Sequence, residues 1–559
     1  IPLPGLFRGA GSTMEEAFML VFPRELAAGK LPNRDFLHLY GPGALHVLAG
    51  WYSVVGDSLY SERAFGAAQL LAAVLAVFVL TRPWGYRASV PAALTMTVLL
   101  ITPTGLAALA WPGAFAMALW SLVFGVRALH VEGRSRVVCV TAGGLLVGGA
   151  LTYRPDLIVA IAIAWLIVLR RYSRAERVRF CGGAVVGLLP VWIHLMLVGI
   201  RPVWSGTITD PVFELRPGRR LPTPPTWGEL DGALQALTEN PVDSPWWGVP
   251  ALSAPTQVFV WFFVTVLLAA TWLISAVVLL RRGAASERTV LFAAIATFGF
   301  GIIGQAVQRP DSAHLAWGST IALSLVPVVV SAALERYRTP SLPSSLRTWV
   351  DRCVPVATIL LVVLIVAPFF TFRPYLLAAR VTAGDRPGGY VVEREGRRFY
   401  VNNLDVQSAS QQAVDTIGQL AGPDDRLFVG PADLSRTVYS DVMFYYLLHD
   451  LEPATYFIEM DPGIADAPDS GLADDVAGAD WLILTNFWTG WYEPNASTEF
   501  GSTEPNEVVA SDFCLIGNHA DGLVLVYRRC DSGDGVDPST IGIGPERRAS
   551  MDREVARRG

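Results

Sequence analysis

The segment of residues 60–80, YSERAFGAAQLLAAVLAVFVL, decides the class of this protein. After Arg63 it runs to Leu80 without another charged residue. An α-helix needs about 20 apolar residues to cross a bilayer. The whole chain of 559 residues is 52% hydrophobic and 16% charged, with a mean hydropathy of +0.41, whereas soluble domains carry about 25% charged residues. The composition therefore indicates a polytopic membrane protein.

Nine further apolar segments follow, and together they predict a transmembrane domain of about ten helices over residues 60–372. Several of them are shorter than the roughly 20 residues of a full crossing, so we expect their ends to extend into the flanking residues. The predicted spans are 60–80, 90–101, 106–126, 137–151, 157–169, 184–200, 258–280, 290–303, 315–334 and 354–370.

Arginine is concentrated in alternate loops between these spans. The loops at 82–87, 127–136, 170–179, 281–288 and 336–352 are rich in it, whereas the intervening short loops contain only Arg154 and Arg309. Positive charge stays on the cytoplasmic side of a membrane. With ten spans in a plasma membrane, residues 1–59, the loop 201–257 and the region after residue 373 then face outward.

Residues 1–59 are predicted to form an outer-face loop that contains an acidic site. Two amphipathic helices, at 15–28 and 43–55, are separated by Pro32 and by the turn Gly41-Pro42-Gly43, since proline and glycine interrupt helices. Amphipathic helices of this kind lie along a membrane interface.

After residue 373 the pattern changes to that of a soluble, extracytoplasmic α/β domain over 373–530, followed by a polar mobile tail at 531–559. Alternating strands and helices are typical of an α/β fold. The predicted strands are 398–401, 426–429, 456–459, 481–484, 514–516 and 523–527, with helices at 408–420 and 435–448. Cys514 and Cys530 flank a strand pair, and an oxidising location favours a disulfide between them. The predicted fold class is thus a polytopic α-helical membrane protein with a C-terminal α/β domain.

Glu15 and Glu16 are the first candidate catalytic residues. Carboxylates beside a bilayer are energetically expensive and are often functional. Neighbouring helical residues point about 100° apart, so one can face a site while the other does not. A carboxylate can remove the proton from an acceptor hydroxyl during sugar transfer. The alternative is structural, because Thr13 and Glu16 also fit a helix capping box.

Arg34 and Asp35 are the second pair of candidates. Asp35 can orient an acceptor or the first acid, and Arg34 can bind a phosphate through charge-assisted hydrogen bonds. The alternative is a surface ion pair.

Two Arg-Pro-Asp triplets place arginines on predicted short outer loops, which otherwise contain no arginine. They are Arg154-Pro155-Asp156 and Arg309-Pro310-Asp311, and His314 follows the second. Arginine binds phosphate groups well, so Arg154, Arg309 and His314 are candidates for holding a lipid phosphate. The alternative is a local Arg–Asp pair at a helix end.

Several functional classes find no support in the sequence. There is no Walker motif, no dinucleotide fingerprint, no Ser-His-Asp arrangement and no zinc-type cysteine and histidine spacing. No basic patch indicates a nucleic-acid partner. No cofactor is predicted with certainty, and a divalent cation is left open.

The combination of these motifs resembles the GT-C glycosyltransferase superfamily. It consists of the acidic pair, Arg34-Asp35-Phe36, Tyr40-Gly41-Pro42-Gly43 and Glu62-Arg63, all within residues 10–70. The resemblance implies a polyprenyl-phosphate sugar donor and a first-loop carboxylate as the base, hence Glu15 or Glu16, although the family usually has Asp. It also implies a further helix before Ile1. All but one of the 43 basic residues are arginine, as in GC-rich genomes such as those of actinobacteria, where arabinosyl- and mannosyltransferases of this kind build the cell wall.

We therefore expect an inverting membrane glycosyltransferase. It would move a sugar from a polyprenyl-phosphate carrier to an envelope glycan, lipid or protein acceptor on the outer face, in contact with membrane lipids. The alternative is a non-catalytic transporter of lipid-linked sugars or an envelope scaffold with the same architecture.

Overall fold

The computed structural model describes residues 2–224, 254–282, 286–336, 372–385, 388–488 and 495–530, with Trp349, Cys353, Val354, Ala357 and Glu493. Most of the predicted loop 201–257, most of the tenth predicted span and the predicted tail 531–559 lie outside the described residues.

The helices up to residue 383 form the membrane-embedded part and the segments that border it. They are α1 (Leu3–Phe7), α2 (Glu15–Ala27), α3 (Gly43–Val55), α4 (Leu59–Thr81), α5 (Tyr86–Thr104), α6 (Ala110–Arg127), α7 (Gly133–Tyr153), α8 (Ile158–Leu169), α9 (Arg174–Gly187), α10 (Leu189–Val198), α11 (Ile200–Trp204), α12 (Arg216–Arg219), α13 (Ala254–Arg281), α14 (Glu287–Gln308), α15 (Ser312–Ser324), α16 (Val326–Arg336) and α17 (Phe372–Ala383), with a π-helix at Ser205–Leu215.

Each of the first nine predicted spans falls on one or two of these helices. Among the described residues, five helical segments are long and apolar enough to cross a membrane, or six if α9 and α10, bent by 45°, form one span. The five are Leu59–Trp84, Gly133–Tyr153, Val258–Arg281, Glu287–Gln308 and Ala313–Arg336. The protein is therefore a multi-pass membrane protein. Within it, α4 packs on α5 and α6, and α8 packs on α14.

The helix bounds within residues 1–59 are close to those predicted, but the environment of α2 differs from the prediction. Instead of one apolar face, α2 buries the continuous run from Glu16 to Pro23. Its aromatic residues stack inside the protein, with ring centroids of Phe22 and Phe36 separated by 5.0 Å. The cause is tertiary, because α3 packs on one side of α2 and the C-terminal domain covers another.

The C-terminal domain contains a mixed sheet. Its elements are β1 (Tyr390–Arg394), β2 (Arg397–Val401), α18 (Leu404–Leu420), β3 (Arg426–Pro431), α19 (Met443–Leu447), β4 (Glu452–Pro453), α20 (Leu472–Ala477), β5 (Trp481–Thr485), α21 (Glu504–Asp512), β6 (Phe513–His519) and β7 (Val524–Arg529). The strands β1 and β2 form a hairpin, and the larger sheet has the order β4-β3-β5-β7-β6, in which β3 is parallel to β4 and β5.

Some predictions for this domain are confirmed and others are wrong. A disulfide joins Cys514 to Cys530, whose Cα atoms are 5.2 Å apart, as predicted. Residues 456–459 are not a strand, and the predicted helix 435–448 is reduced to Met443–Leu447. The reason is that residues 432–442 and 454–461 form loops whose backbone groups bond to other segments, as in the bond from the amide of Leu37 to the carbonyl of Tyr456, 2.8 Å.

The C-terminal domain sits directly on the segment that precedes α2. The amide of Met443 donates to the carbonyl of Thr13 over 3.0 Å, and the amide of Gly11 donates to the carbonyl of Tyr400 over 2.9 Å. The loop after the parallel strand β3 also reaches this segment, because Asp441 accepts a hydrogen bond from the hydroxyl of Thr13 over 2.6 Å. Such loops commonly build the ligand sites of open α/β sheets.

Candidate functional site

The two glutamates at the start of α2 have different environments. Both carboxylate oxygens of Glu16 bind the guanidinium of Arg63, with Nε–Oε1 at 2.6 Å and Nη2–Oε2 at 2.7 Å. Both side chains are almost fully buried. Arg63 also donates to the carbonyls of Leu6, Phe7 and Gly9. Glu16 therefore ties α2 to α4 and to the chain before it.

The expected capping box is not formed. Thr13 donates to Asp441 over 2.6 Å, and the amide of Glu15 instead donates to the hydroxyl of Ser12 over 3.0 Å. Thr13 is drawn away because Asp441, on the loop after β3, is fully buried and needs donors.

Glu15 has a partly exposed side chain that forms no hydrogen bond or ion pair with the described residues. Burial raises the pKa of its carboxyl above the usual range, and the charge of Asp311 raises it further. His314, Arg309 and Arg219 act in the opposite direction. Glu15 therefore has no partner among the described side chains, and both negative and positive charges act on its carboxyl group.

The second Arg-Pro-Asp triplet forms the centre of this charged group. Nε of Arg309 binds Asp311 at 2.6 Å, and its Nη2 binds the buried carboxylate of Glu493 from the C-terminal domain. Asp311 caps α15 by accepting the amide of His314 at 2.8 Å and also contacts the ring Nδ1 of His314. Although burial opposes it, His314 and Arg309 hold the pKa of Asp311 below its usual range.

Arg219, at the end of α12, also belongs to this charged group. It binds Asp461 at 2.7 Å and lies over the ring of Tyr439, with its guanidinium carbon 4.9 Å from the ring centroid. Its carbonyl accepts a hydrogen bond from Arg309 over 3.2 Å. The backbone of Arg219 and the side chain of Arg309 are therefore held together.

Arg154 lies at the equivalent helix end after α7. It pairs with Asp156 at 2.7 Å and lies over the ring of Tyr40, 4.7 Å from the centroid. Asp156 also accepts from Gln305 of α14 over 2.7 Å. Burial raises the pKa of Tyr40, and the charges of Glu459, Asp461 and Glu15 add to this while Arg154 opposes it. Tyr40 therefore contacts Arg154 and lies within electrostatic range of Glu15.

Both triplets thus form local Arg–Asp pairs at helix ends, as the alternative interpretation of the sequence predicts. Their charged side chains also belong to the group of charges around Glu15 and Tyr40. Arg154 and Arg309 adopt nearly the same backbone conformation, with φ and ψ of −139° and 89° and of −142° and 89°. The charges of Arg309 and His314 act on Glu15, and Arg154 lies over the ring of Tyr40, on which the charge of Glu15 also acts.

Arg34 and Asp35 are not part of this group among the described contacts. They pair with each other at 2.7 Å near the surface, and Asp35 accepts the amide of Leu31. Hydrogen bonds from Arg34 and from the amide of Leu31, together with the charge of Lys30, lower the pKa of the Asp35 carboxyl. This is the surface ion pair of the alternative interpretation.

Sequence reasoning missed the residues that reach the site from α12 and from the C-terminal domain. These are Arg219, Tyr439, Glu459, Asp461 and Glu493. One signal in the sequence could have found the last four of these residues. Each of them follows the carboxyl end of a parallel strand, where α/β sites are built. Within the described residues, no group of three or more histidine, cysteine, aspartate or glutamate side chains is arranged to hold a metal ion.

Comparisons with known proteins support the architecture. No family model and no curated protein matches the sequence. Among solved structures, the chain is similar to ArnT from Cupriavidus metallidurans bound to undecaprenyl phosphate, at 12% identity and a TM-score of 0.50, covering 96% of this chain and 97% of ArnT.

Two further structures are similar at lower TM-scores. ArnT from the same organism in the apo state gives 14% identity and 0.49, over 94% of this chain and 96% of ArnT. The oligosaccharyltransferase AglB from Archaeoglobus fulgidus, in complex with an inhibitory peptide and a dolichol-phosphate, gives 12% and 0.43, over 95% and 72%. At this identity the first likeness establishes the fold alone: a helical membrane domain followed by a C-terminal α/β domain.

Proposed function

We propose that this protein is an inverting glycosyltransferase that moves a sugar from a polyprenyl-phosphate carrier to a hydroxyl group of an envelope glycan, lipid or protein. The observation that carries the proposal is the carboxylate of Glu15, which has no hydrogen bond or ion pair among the described residues and lies within electrostatic range of Arg309, Arg219 and His314. The fold is similar to that of ArnT, whose structure holds undecaprenyl phosphate.

Glu15 is the proposed general base. The acceptor oxygen attacks the anomeric carbon, the bond from that carbon to the phosphate oxygen breaks, and the hydroxyl proton passes to Glu15. A carboxyl pKa raised toward the working pH makes the carboxylate a better proton acceptor. We assign this role to Glu15 rather than Glu16, because both oxygens of Glu16 are occupied by Arg63.

Arg309, Arg154 and His314 are the proposed phosphate-binding groups, with Arg219 as an addition from the structure. The carrier phosphate has one negative charge in the donor and gains a second when the sugar leaves. Fixed cations that face this developing charge stabilise the transition state more than the ground state. Their carboxylate partners, Asp311, Asp156 and Asp461, hold the arginines in place before the donor binds.

The finer assignments also belong to the proposal. The C-terminal domain and residues 1–59 face outward, as the distribution of arginine in the loops predicts. The transferred sugar is arabinose or mannose, and the pathway is construction of the cell envelope, in keeping with the arginine-rich composition. Arg34 and Asp35 receive no catalytic role because they pair with each other.

The test uses the full-length protein in liposomes with synthetic polyprenyl-phosphate mannose and polyprenyl-phosphate arabinose, each with labelled sugar. Octyl glycosides serve as acceptors. General-base assistance contributes roughly 10²–10⁴ in rate, so Glu15→Gln is expected to lower kcat about 100-fold or more while donor binding persists. The matched control is Glu499→Gln, whose side chain is exposed.

Two results would contradict the proposal. If Glu15→Gln transfers sugar at the rate of the control, the base lies elsewhere. If the unchanged protein binds or translocates the labelled donors but never transfers the sugar, the protein is a transporter or scaffold of lipid-linked sugars.

A further inference from the structure

The start of α2 is held from two sides, and Glu15 lies between the two points of attachment. On one side, Arg63 of α4 binds both carboxylate oxygens of Glu16, at 2.6 and 2.7 Å. On the other side, the hydroxyl of Thr13 donates to Asp441 of the C-terminal domain over 2.6 Å. The backbone that carries Glu15 is therefore fixed both by the membrane-embedded helices and by the C-terminal domain.

Asp441 is itself held firmly within the C-terminal domain. Its carboxyl group is fully buried, and it accepts hydrogen bonds from the hydroxyl of Thr485, the last residue of β5, and from the indole N–H of Trp488, the latter over 3.0 Å. The amide of Met443, two residues after Asp441, donates to the carbonyl of Thr13 over 3.0 Å. A side-chain bond and a backbone bond thus join the same two segments.

The direction of the Glu15 side chain depends on this backbone. The carboxyl group of Glu15 forms no hydrogen bond or ion pair with the described residues, and its amide donates to the hydroxyl of Ser12 over 3.0 Å. A general base must lie within hydrogen-bonding reach of the proton that it removes. A displacement of about 1 Å can lower the rate by as much as about 100-fold. The bonds that hold Thr13 and Glu16 therefore decide where Glu15 points.

We propose that Asp441 is a positioning residue for sugar transfer, which holds Glu15 in its working orientation through the hydroxyl of Thr13. This inference rests on the proposed glycosyltransferase function, and it gives the C-terminal domain a part in placing the base. A bond that only stabilised the fold would lower the stability of the protein without a selective loss of kcat.

The experiment removes the hydroxyl of Thr13 and keeps the shape of the side chain. It uses the full-length protein in liposomes with the labelled polyprenyl-phosphate mannose or arabinose and an octyl glycoside acceptor. Thr13→Val is expected to lower kcat about tenfold or more, because Glu15 acts in the chemical step. The donor KM should stay within about twofold, as for an interaction that matters only in the transition state.

Two variants serve as controls for this substitution. Thr13→Ser restores the hydroxyl group and should recover most of the lost rate. Thr416→Val makes the same change on α18, where the hydroxyl donates to the carbonyl of Gln412 over 2.8 Å, and it should keep the kcat of the unchanged protein.

Two further variants show whether Thr13 acts through Glu15. In the Glu15→Gln protein the base is absent, so Thr13→Val should lower the remaining kcat by less than about twofold, since residues that act as a unit have non-additive effects. Asp441→Ala should lower kcat at least as much as Thr13→Val. If its unfolding midpoint shows that Asp441→Ala does not fold, the Thr13 variants decide the question.

The outcomes distinguish this inference from the proposed function. If the unchanged protein transfers sugar but Thr13→Val keeps its kcat, or Thr13→Ser is as slow as Thr13→Val, the positioning role is refuted and the function stands. If Thr13→Val lowers kcat by the same factor with and without Glu15, the bond is only structural and the inference is overturned. If the unchanged protein transfers no sugar to any acceptor, the proposed function fails and the positioning role fails with it.

Discussion

Replacing Arg63 by methionine tests how the start of α2 is held. Arg63 is 2% exposed and binds both oxygens of Glu16, at 2.6 and 2.7 Å. It also donates to the carbonyls of Phe7 and Gly9 at 2.8 and 3.0 Å. Methionine fills a similar volume but leaves the buried carboxylate of Glu16 without its cation.

The expected loss is large because the pair is buried. Removing one partner of a buried ion pair destabilises a protein by about 3–5 kcal/mol, since the other charge stays desolvated. We therefore expect Arg63→Met to lower the free energy of unfolding by about that amount. Glu15 directly precedes Glu16 in the chain, so loosening this anchor is also expected to lower sugar transfer.

The assay is unfolding in mixed micelles, followed by tryptophan fluorescence during a titration with a denaturing detergent. A double-mutant cycle uses Glu16→Gln, Arg63→Met and the combined variant. Because the two side chains touch, the combined loss should be smaller than the sum of the single losses by roughly 0.5–3 kcal/mol. The control is Arg398→Met, whose pair with Glu393 is more than half exposed and should contribute less than about 1 kcal/mol.

The reasoning is refuted if Arg63→Met unfolds within about 1 kcal/mol of the unchanged protein, or if the two single losses add without coupling. Either result would mean that Glu16 is not held by this ion pair, and the argument for Glu15 over Glu16 as the base would lose its support.

Two more predictions concern the site and its junction with the C-terminal domain. Arg309→Ala should raise the donor KM and lower kcat together, because the carrier phosphate is charged before the reaction and gains charge during it; an unchanged donor KM in transfer kinetics would contradict this. Burial raises the pKa of Asp441 from 3.8 to about 6, so the folded state binds this proton more tightly than the unfolded state. Protonated Asp441 therefore makes its full contribution to the free energy of unfolding below about pH 4. This contribution, about 3 kcal/mol at 1.4 kcal/mol per pKa unit, is lost as the pH rises through 6. Asp441→Asn should reduce the pH dependence of the unfolding free energy between pH 4 and 7. The exposed control Asp424→Asn should keep the pH dependence of the unchanged protein.

The helical part of the fold was largely predictable because its signals are local. Apolar length and proline or glycine breaks placed the first nine predicted segments on helices, and the turn Gly41-Pro42-Gly43 correctly separated α2 from α3. Among the described residues, five helical segments, or six with the bent pair α9 and α10, are long and apolar enough to cross a membrane. The disulfide between Cys514 and Cys530 was predictable from two strands that share a turn. The segment 456–459 was misassigned because Tyr456, Phe457 and Ile458 have the composition of a strand, yet they pack as a loop against residues near Leu37.

The candidate site was predictable only in part, because most of its geometry is non-local. The sequence alone determined that Glu15 and Glu16 lie at a helix start and that Arg154 and Arg309 end apolar spans. It could not determine which glutamate is free, since that depends on where Arg63 lies in space. Only the tertiary structure decided that Glu16 is buried in an ion pair and that Glu15 lies within electrostatic range of Arg309 and Arg219. The physical reason is that charge pairing and burial depend on distances between segments that are tens to hundreds of residues apart in the chain.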